Sequence, residues 1–152
     1  LVRRLLIVSD HLAASDALAA HLGRHGFVVV GEVRSARSAA LAARTCDPDL
    51  VLVDGALRGG WRAVAEALDG VVPRNRIVVL EAYLGADEAR RARDAGIGAT
   101  ILKHVEGGTL ASRLLALGGP AWISAHCSPA RSFPTRQISR CLLGASRSAC
   151  AS

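Results

Sequence analysis

Aromatic residues are scarce in this chain of 152 residues: two tryptophans, one tyrosine and two phenylalanines make up 3%. Apolar residues nevertheless reach 51%, so Ala, Val and Leu have to fill the core, and an aromatic-lined ligand pocket is not expected. Cysteine is sparse as well. Cys46 alone precedes residue 118, and Cys127, Cys141 and Cys150 have no CxxC spacing. This argues against a disulfide framework or a zinc module and fits a reducing cytosol, a cytoplasmic location. No apolar run approaches a membrane span. Leu1-Val-Arg-Arg-Leu-Leu-Ile-Val8 resembles a secretion signal until Ser9-Asp10-His11 ends the apolar run far short of an h-region. Methionine is missing and the chain begins at Leu1, which points either to a start codon translated literally or to a fragment.

The formal net charge is +6, unevenly spread. Residues 1–118 hold 15 Lys and Arg against all 13 acids, a surplus of two, while Arg131, Arg136, Arg140 and Arg147 lie in a segment without any acid. A nucleic-acid reading of the high pI therefore concerns the tail and not the domain. The length suits one ordinary domain with some surplus, not two. The division expected is a domain over 1–118 and a basic Ser/Arg/Cys-rich tail over 119–152, a linker remnant or disordered segment. Within that tail Ile138, Cys141, Leu142 and Ala145 have the spacing of one short amphipathic helix.

Strand-like and helix-like segments alternate at the pace of βα units. The pattern predicts strands at 4–8, 27–30, 50–54, 76–81 and 99–102, and helices at 12–25, 35–45, 61–69, 86–95 and 108–117. Ser35 is a helix cap, and Asp47-Pro48 ends the helix it starts. Five strands too apolar to alternate, each followed by a helix, indicate an α/β fold: a doubly wound parallel sheet with helices on both faces.

Three of the apolar runs end in a charge: Leu5-Leu-Ile-Val-Ser-Asp10, Asp49-Leu-Val-Leu-Val-Asp54 and Ala99-Thr-Ile-Leu-Lys103. In an open parallel sheet the carboxyl ends of the strands meet at one edge, so an aspartate nucleophile, a second carboxylate and a lysine share one pocket. That constellation suits phosphoryl transfer. Other chemistries lack their signatures: there is no Walker-type Gly-Lys-Ser/Thr, no Gly-x-Ser-x-Gly elbow and no HExxH. Gly96-Ile-Gly98 precedes a strand and lacks a third glycine, so it reads as a connecting loop. His21 and His25 share a helix face without a nearby third ligand, and suit a helix C-terminus better than a metal.

The stretches Leu6-Ile-Val-Ser-Asp-His11, Val30-Gly-Glu-Val33, Pro48-Asp-Leu-Val-Leu-Val-Asp54, Ile77-Val-Val-Leu-Glu-Ala-Tyr83 and Ala95-Gly-Ile-Gly-Ala-Thr-Ile-Leu-Lys103 resemble the receiver domain of two-component response regulators. The likeness is to the subfamily whose receivers precede a helix-turn-helix DNA-binding domain, and it spans about residues 3–118. The resemblance implies a five-stranded flavodoxin-like sheet in the order 2-1-3-4-5 and a signalling protein that is no enzyme beyond phosphoryl transfer to and from its own Asp54. It also implies that Asp54 takes the phosphoryl group from a sensor histidine kinase and that Lys103 pairs with the phosphate. Mg²⁺ would be held by Asp10, Asp54 and the backbone carbonyl of Ala56. Residues 86–117 would form the surface for a homodimer or an output domain.

Four positions depart from the family pattern around that pocket. Ser9 replaces the first of two acids, which removes a partner just beyond the metal's direct ligands and lowers the expected Mg²⁺ affinity. Glu81 stands where the family has a Ser or Thr that binds the phosphoryl group, and its carboxylate is expected to attract Lys103. Thr100 replaces the switch aromatic, and Arg58 replaces a proline four residues past Asp54. These departures sustain an alternative: a phosphorylation-independent module in which Glu81 and Lys103 fix one state. A second alternative is nucleic-acid binding through the basic tail. The tail is too short for a helix-turn-helix domain after a linker, so DNA binding of the subfamily's kind is not supported. Pro120-Ala-Trp-Ile-Ser124 still resembles the family's linker, after which a truncated or out-of-frame end is expected. Trp61, seven residues past Asp54, is expected to be partly buried against its loop.

Overall fold

In the computed structural model, residues 2–117 are described, apart from Leu84, Val105 and Glu106. The expected tail over 119–152, with its short helix and arginines, lies outside the described residues. The β-branched and leucine runs form β1 (Arg3–Val8), β2 (Phe27–Val33), β3 (Leu50–Asp54), β4 (Ile77–Glu81) and β5 (Ala99–Leu102). Between and after them lie α1 (Leu12–Gly23), α2 (Ala36–Cys46), α3 (Gly60–Ala67), α4 (Ala86–Asp94) and α5 (Gly107–Ala116). All strand pairs are parallel and the order is β2-β1-β3-β4-β5, as the resemblance implied. Among the described residues no helix is long and apolar enough to cross a membrane.

Alternation along each strand divides the core between the two faces of the sheet. Leu6, Val8, Val51, Val53 and Val79 pack toward α2, α3 and α4, where Ala39, Ala43 and Ala92 supply small partners. Leu5, Ile7, Leu52, Leu80 and Ile101 pack toward α1 and α5 against Leu22, Leu110 and Leu114. The interior is thus largely aliphatic, as the composition implied. Trp61 is an exception, because it is only 4% exposed and belongs to the first of these clusters rather than lying half-covered on its loop.

Most boundaries fall within two residues of the sequence reading. Ser35 caps α2 by accepting the Ser38 N–H at 3.2 Å, and Asp47 closes it in a left-handed conformation at φ 43°. β2 is the clearest difference. The apolar run stops at Val30, yet the strand continues to Val33. Its partner β1 stays paired to its last residue, and the register shift between Leu5 and Leu6 absorbs one extra residue of β2. The Ser9 N–H then extends the ladder to the Val33 carbonyl at 2.9 Å.

The burial pattern separates core from surface leucines. Leu6→Ala, at a site with no exposure, is expected to cost about 2–5 kcal/mol by urea unfolding. Leu41→Ala, at a helix position 62% exposed, should change stability by less than about 0.5 kcal/mol. Equal losses would contradict the core assignment.

Candidate functional site at the carboxyl edge of the sheet

β3 is central and all five of its residues are buried, so the strand delivers Asp54 to the sheet edge with its side chain only 9% exposed. Three donors converge on that carboxylate. The Lys103 ammonium lies 2.5 Å from Oδ1, the Ala56 N–H donates to the same oxygen at 2.8 Å, and the Ser9 hydroxyl donates to Oδ2 at 3.1 Å. The Ser9 oxygen itself accepts the His11 N–H at 3.2 Å, which anchors the loop after β1. Burial pushes the Asp54 carboxyl up, but Lys103, Ala56 and Ser9 together outweigh it and hold the group below the ordinary aspartate value. Asp54 is therefore an ionised, oriented carboxylate at neutral pH.

Lys103 follows β5, which is separated from β3 by β4, so its side chain reaches across the end of β4 to meet Asp54. Glu81, the last residue of β4, lies under that crossing. The expected side-chain pair of Glu81 with Lys103 does not form among the described residues. The Lys103 N–H donates to the Glu81 carbonyl at 2.8 Å, while the ammonium goes to the more deeply buried carboxylate. The Glu81 carboxylate turns instead over Gly55, where a β-carbon would overlap it. Burial pushes its carboxyl above the usual glutamate value, Glu88 and Asp54 add repulsion, and Lys103 offsets part of this.

The other expected residues are placed less centrally. Asp10 is 36% exposed at its side chain and faces the still more exposed His11 at 3.6 Å. Ala56 is exposed in the turn after β3, and Arg58 is exposed beyond it, in no ion pair among the described residues. Thr100 is half-buried beside Val79, on the α4 side of the sheet. Among the described residues no three His, Cys, Asp or Glu side chains converge as a metal cage. The expected Mg²⁺ set needs only two carboxylates and a carbonyl, with water completing six ligands. The donor chemistry fits, since Asp54 Oδ2 has one donor where Oδ1 has two.

Glu88 escaped the sequence reading. Its Oε1 accepts the Trp61 indole N–H at 2.9 Å and lies 3.9 Å from Arg62, while Oε2 lies 3.3 Å from Arg91. The start of α3 is thereby tied to α4. The i,i+3 pair with Arg91 was legible on the helix, but the indole contact joins residues 27 apart and had no local signal.

No protein-family model matches the chain. Among solved structures, the BeF3-activated N-terminal receiver domain of RstA from Klebsiella pneumoniae is 31% identical, with a TM-score of 0.64 over 76% of this chain and 99% of that one. The chain belongs to the response-regulator receiver family. A two-component response regulator of the LuxR family from Aurantimonas sp. superposes on this receiver with a TM-score of 0.70 at 26% identity, covering 80% of this chain and 93% of the other. The transcriptional regulatory protein PdtaR of Mycobacterium tuberculosis is 38% identical over 104 residues, 66% of this chain and 49% of that protein. The receiver chain spans about half the length of the curated relatives it matches.

The two carboxyls of the receiver pocket should respond to pH with opposite sign. Asp54, lowered in the folded state, stabilises the fold above its unfolded value near about 3.9, and this contribution is lost as pH falls through the lower folded value. In Lys103→Met the NMR titration midpoint of the Asp54 carboxyl should move upward, and an unchanged midpoint would show that the ion pair does not hold it. Glu81, raised in the folded state, penalises the fold when ionised. Glu81→Gln should therefore be more stable than wild type at pH 7, with the gap closing as pH falls to about 4.3.

Proposed function

We propose that this receiver accepts a phosphoryl group on Asp54 from a sensor histidine kinase and signals through protein contacts as part of a transcriptional regulator in the cytoplasm. The observation that carries the reading is the buried, ionised Asp54 carboxylate held 2.5 Å from Lys103 at the carboxyl edge of the sheet. In the transfer an Asp54 oxygen bonds to phosphorus while the N–P bond of the donor phosphohistidine breaks, and the electron pair leaves with the imidazole. Lys103 then turns from the free carboxylate to the phosphoryl oxygens, and Ala56 and Ser9 keep the acyl group oriented. Asp10, Asp54 and the Ala56 carbonyl would hold Mg²⁺, which when bound would neutralise charge on the transferring group. The activity is confined to the chain's own Asp54, with no other substrate turned over.

Residues 86–117 are proposed as the contact for a second copy or an output domain. Support comes from Leu102 at the end of β5 and Leu115 on α5, apolar side chains 37% and 42% exposed. In this proposal the receiver spans residues 1–118 and residues 119–152 form a separate tail.

A second reading, a module that works without phosphorylation, is favoured by one observation: the Glu81 carboxylate occupies the position over Gly55 beside Asp54 and adds negative charge where a phosphoryl group would arrive. At about 4 Å and an effective dielectric near 20, such a repulsion is on the order of 4 kcal/mol. In this reading the state is set by Glu81 itself rather than by a Glu81–Lys103 pair.

Incubation with Mg²⁺ and a small phosphodonor distinguishes the two. The expected result is a mass gain of one phosphoryl group that is absent in Asp54→Asn and larger in Glu81→Thr, with a change in Trp61 fluorescence as α3 and α4 respond. No mass gain in wild type together with a gain in Glu81→Thr would establish the second reading.

A further inference from the structure

On the α1/α5 side of the sheet, beneath Asp54, lies a cavity of about 200 Å³. Phosphoryl transfer uses only its polar end, at Ser9, Asp54 and Lys103, and leaves the apolar remainder without a role. Its walls are hydrocarbon from four elements of the second core cluster and from α1: Ile7, Leu18, Leu52, Leu80 and Leu110. Polar groups meet it at the Asp54 end, and most are committed to one another. The Ser15 hydroxyl donates to the His11 carbonyl at 3.1 Å, Ser9 is held between Asp54 and the His11 N–H, and Asp54 already takes three donors. Water inside the cavity therefore finds few partners, the condition under which an apolar body displaces it readily.

Lys103 differs from these groups. Its ammonium carries three N–H donors, and Asp54 is its one side-chain partner among the described residues. An acceptor entering from the cavity can take another of them. Size sets the rest of the chemistry: an apolar cavity of about 150 Å³ holds benzene, so this one suits one ring, a fused pair or a branched chain.

We propose that the cavity is a binding site for a small molecule with a compact apolar body and one hydrogen-bond-accepting end, a carboxylate or carbonyl, that reaches Lys103. The proposal rests on the cavity of the unmodified protein and not on phosphorylation of Asp54, so it goes beyond that reading. A bound acid shares the ammonium with Asp54.

The full chain is titrated with benzoate, indole and toluene while the methyl signals of Leu18, Leu52 and Leu110 and the thermal midpoint are followed. Saturable methyl shifts and a rising midpoint are expected for each, with benzoate bound at least about threefold more tightly than toluene. Leu18→Phe fills the space and should weaken all three probes by about tenfold or more. Should that variant fail to fold, Lys103→Met carries the test: it should abolish the preference for benzoate and leave toluene binding in place. The absence of saturable shifts at millimolar probe would overturn the proposal, and so would binding unaffected by either variant.

Discussion

A carboxylate removed from water at the end of the central strand is the constraint on which the edge of this molecule depends. An isolated buried charge costs several kcal/mol, and the cost is met only by donors that keep their geometry. Asp54 draws those donors from three places in the chain: the loop after β1 through Ser9, its own loop through Ala56, and the end of β5 through Lys103. Each of these segments is thereby positioned relative to the others. The parallel order makes this possible, because it brings the carboxyl ends of all five strands to one side.

Glu81 is the second element of that edge. It ends β4, between the strand that carries Asp54 and the strand that leads to Lys103, so it cannot avoid their field. Gly55 decides where it goes. With no β-carbon there, the carboxylate lies over the turn that follows Asp54, and a side chain at that position would have displaced it. Glu88 adds a further negative charge while it anchors Trp61 and Arg91, so α4 and the start of α3 are electrically coupled to the same corner. A hydroxyl in place of Glu81 would be indifferent to pH and attractive to a phosphoryl oxygen. The carboxylate is neither, and the pocket therefore sets a second negative charge beside the ionised Asp54.

Much of the fold was legible because its signals are local. Apolar runs with charged ends, the Ser35 cap and the Asp47-Pro48 break each act within a few residues, and the structure places elements where they indicate. β2 was read three residues short because the last part of that strand is stabilised by β1 and not by its own composition. Of the site, Asp54 and Lys103 were readable as strand ends. The Ser9 hydroxyl was read as the loss of an acid, since only the fold shows that it donates to Asp54. Glu81 and Lys103 were matched by charge alone, whereas depth decides the pairing: the more buried carboxylate takes the ammonium.

By itself, then, the sequence determined the number and order of the elements, the aliphatic core and the residues that reach the sheet edge, because each follows from periodicity and from residue type. Tertiary structure alone decided which carboxylate Lys103 neutralises, that Trp61 is buried and bound to Glu88, and that a cavity remains between α1, α5 and the sheet. These depend on distances between residues far apart in the chain and on how completely side chains fill the space between layers, and neither quantity is written in any local pattern.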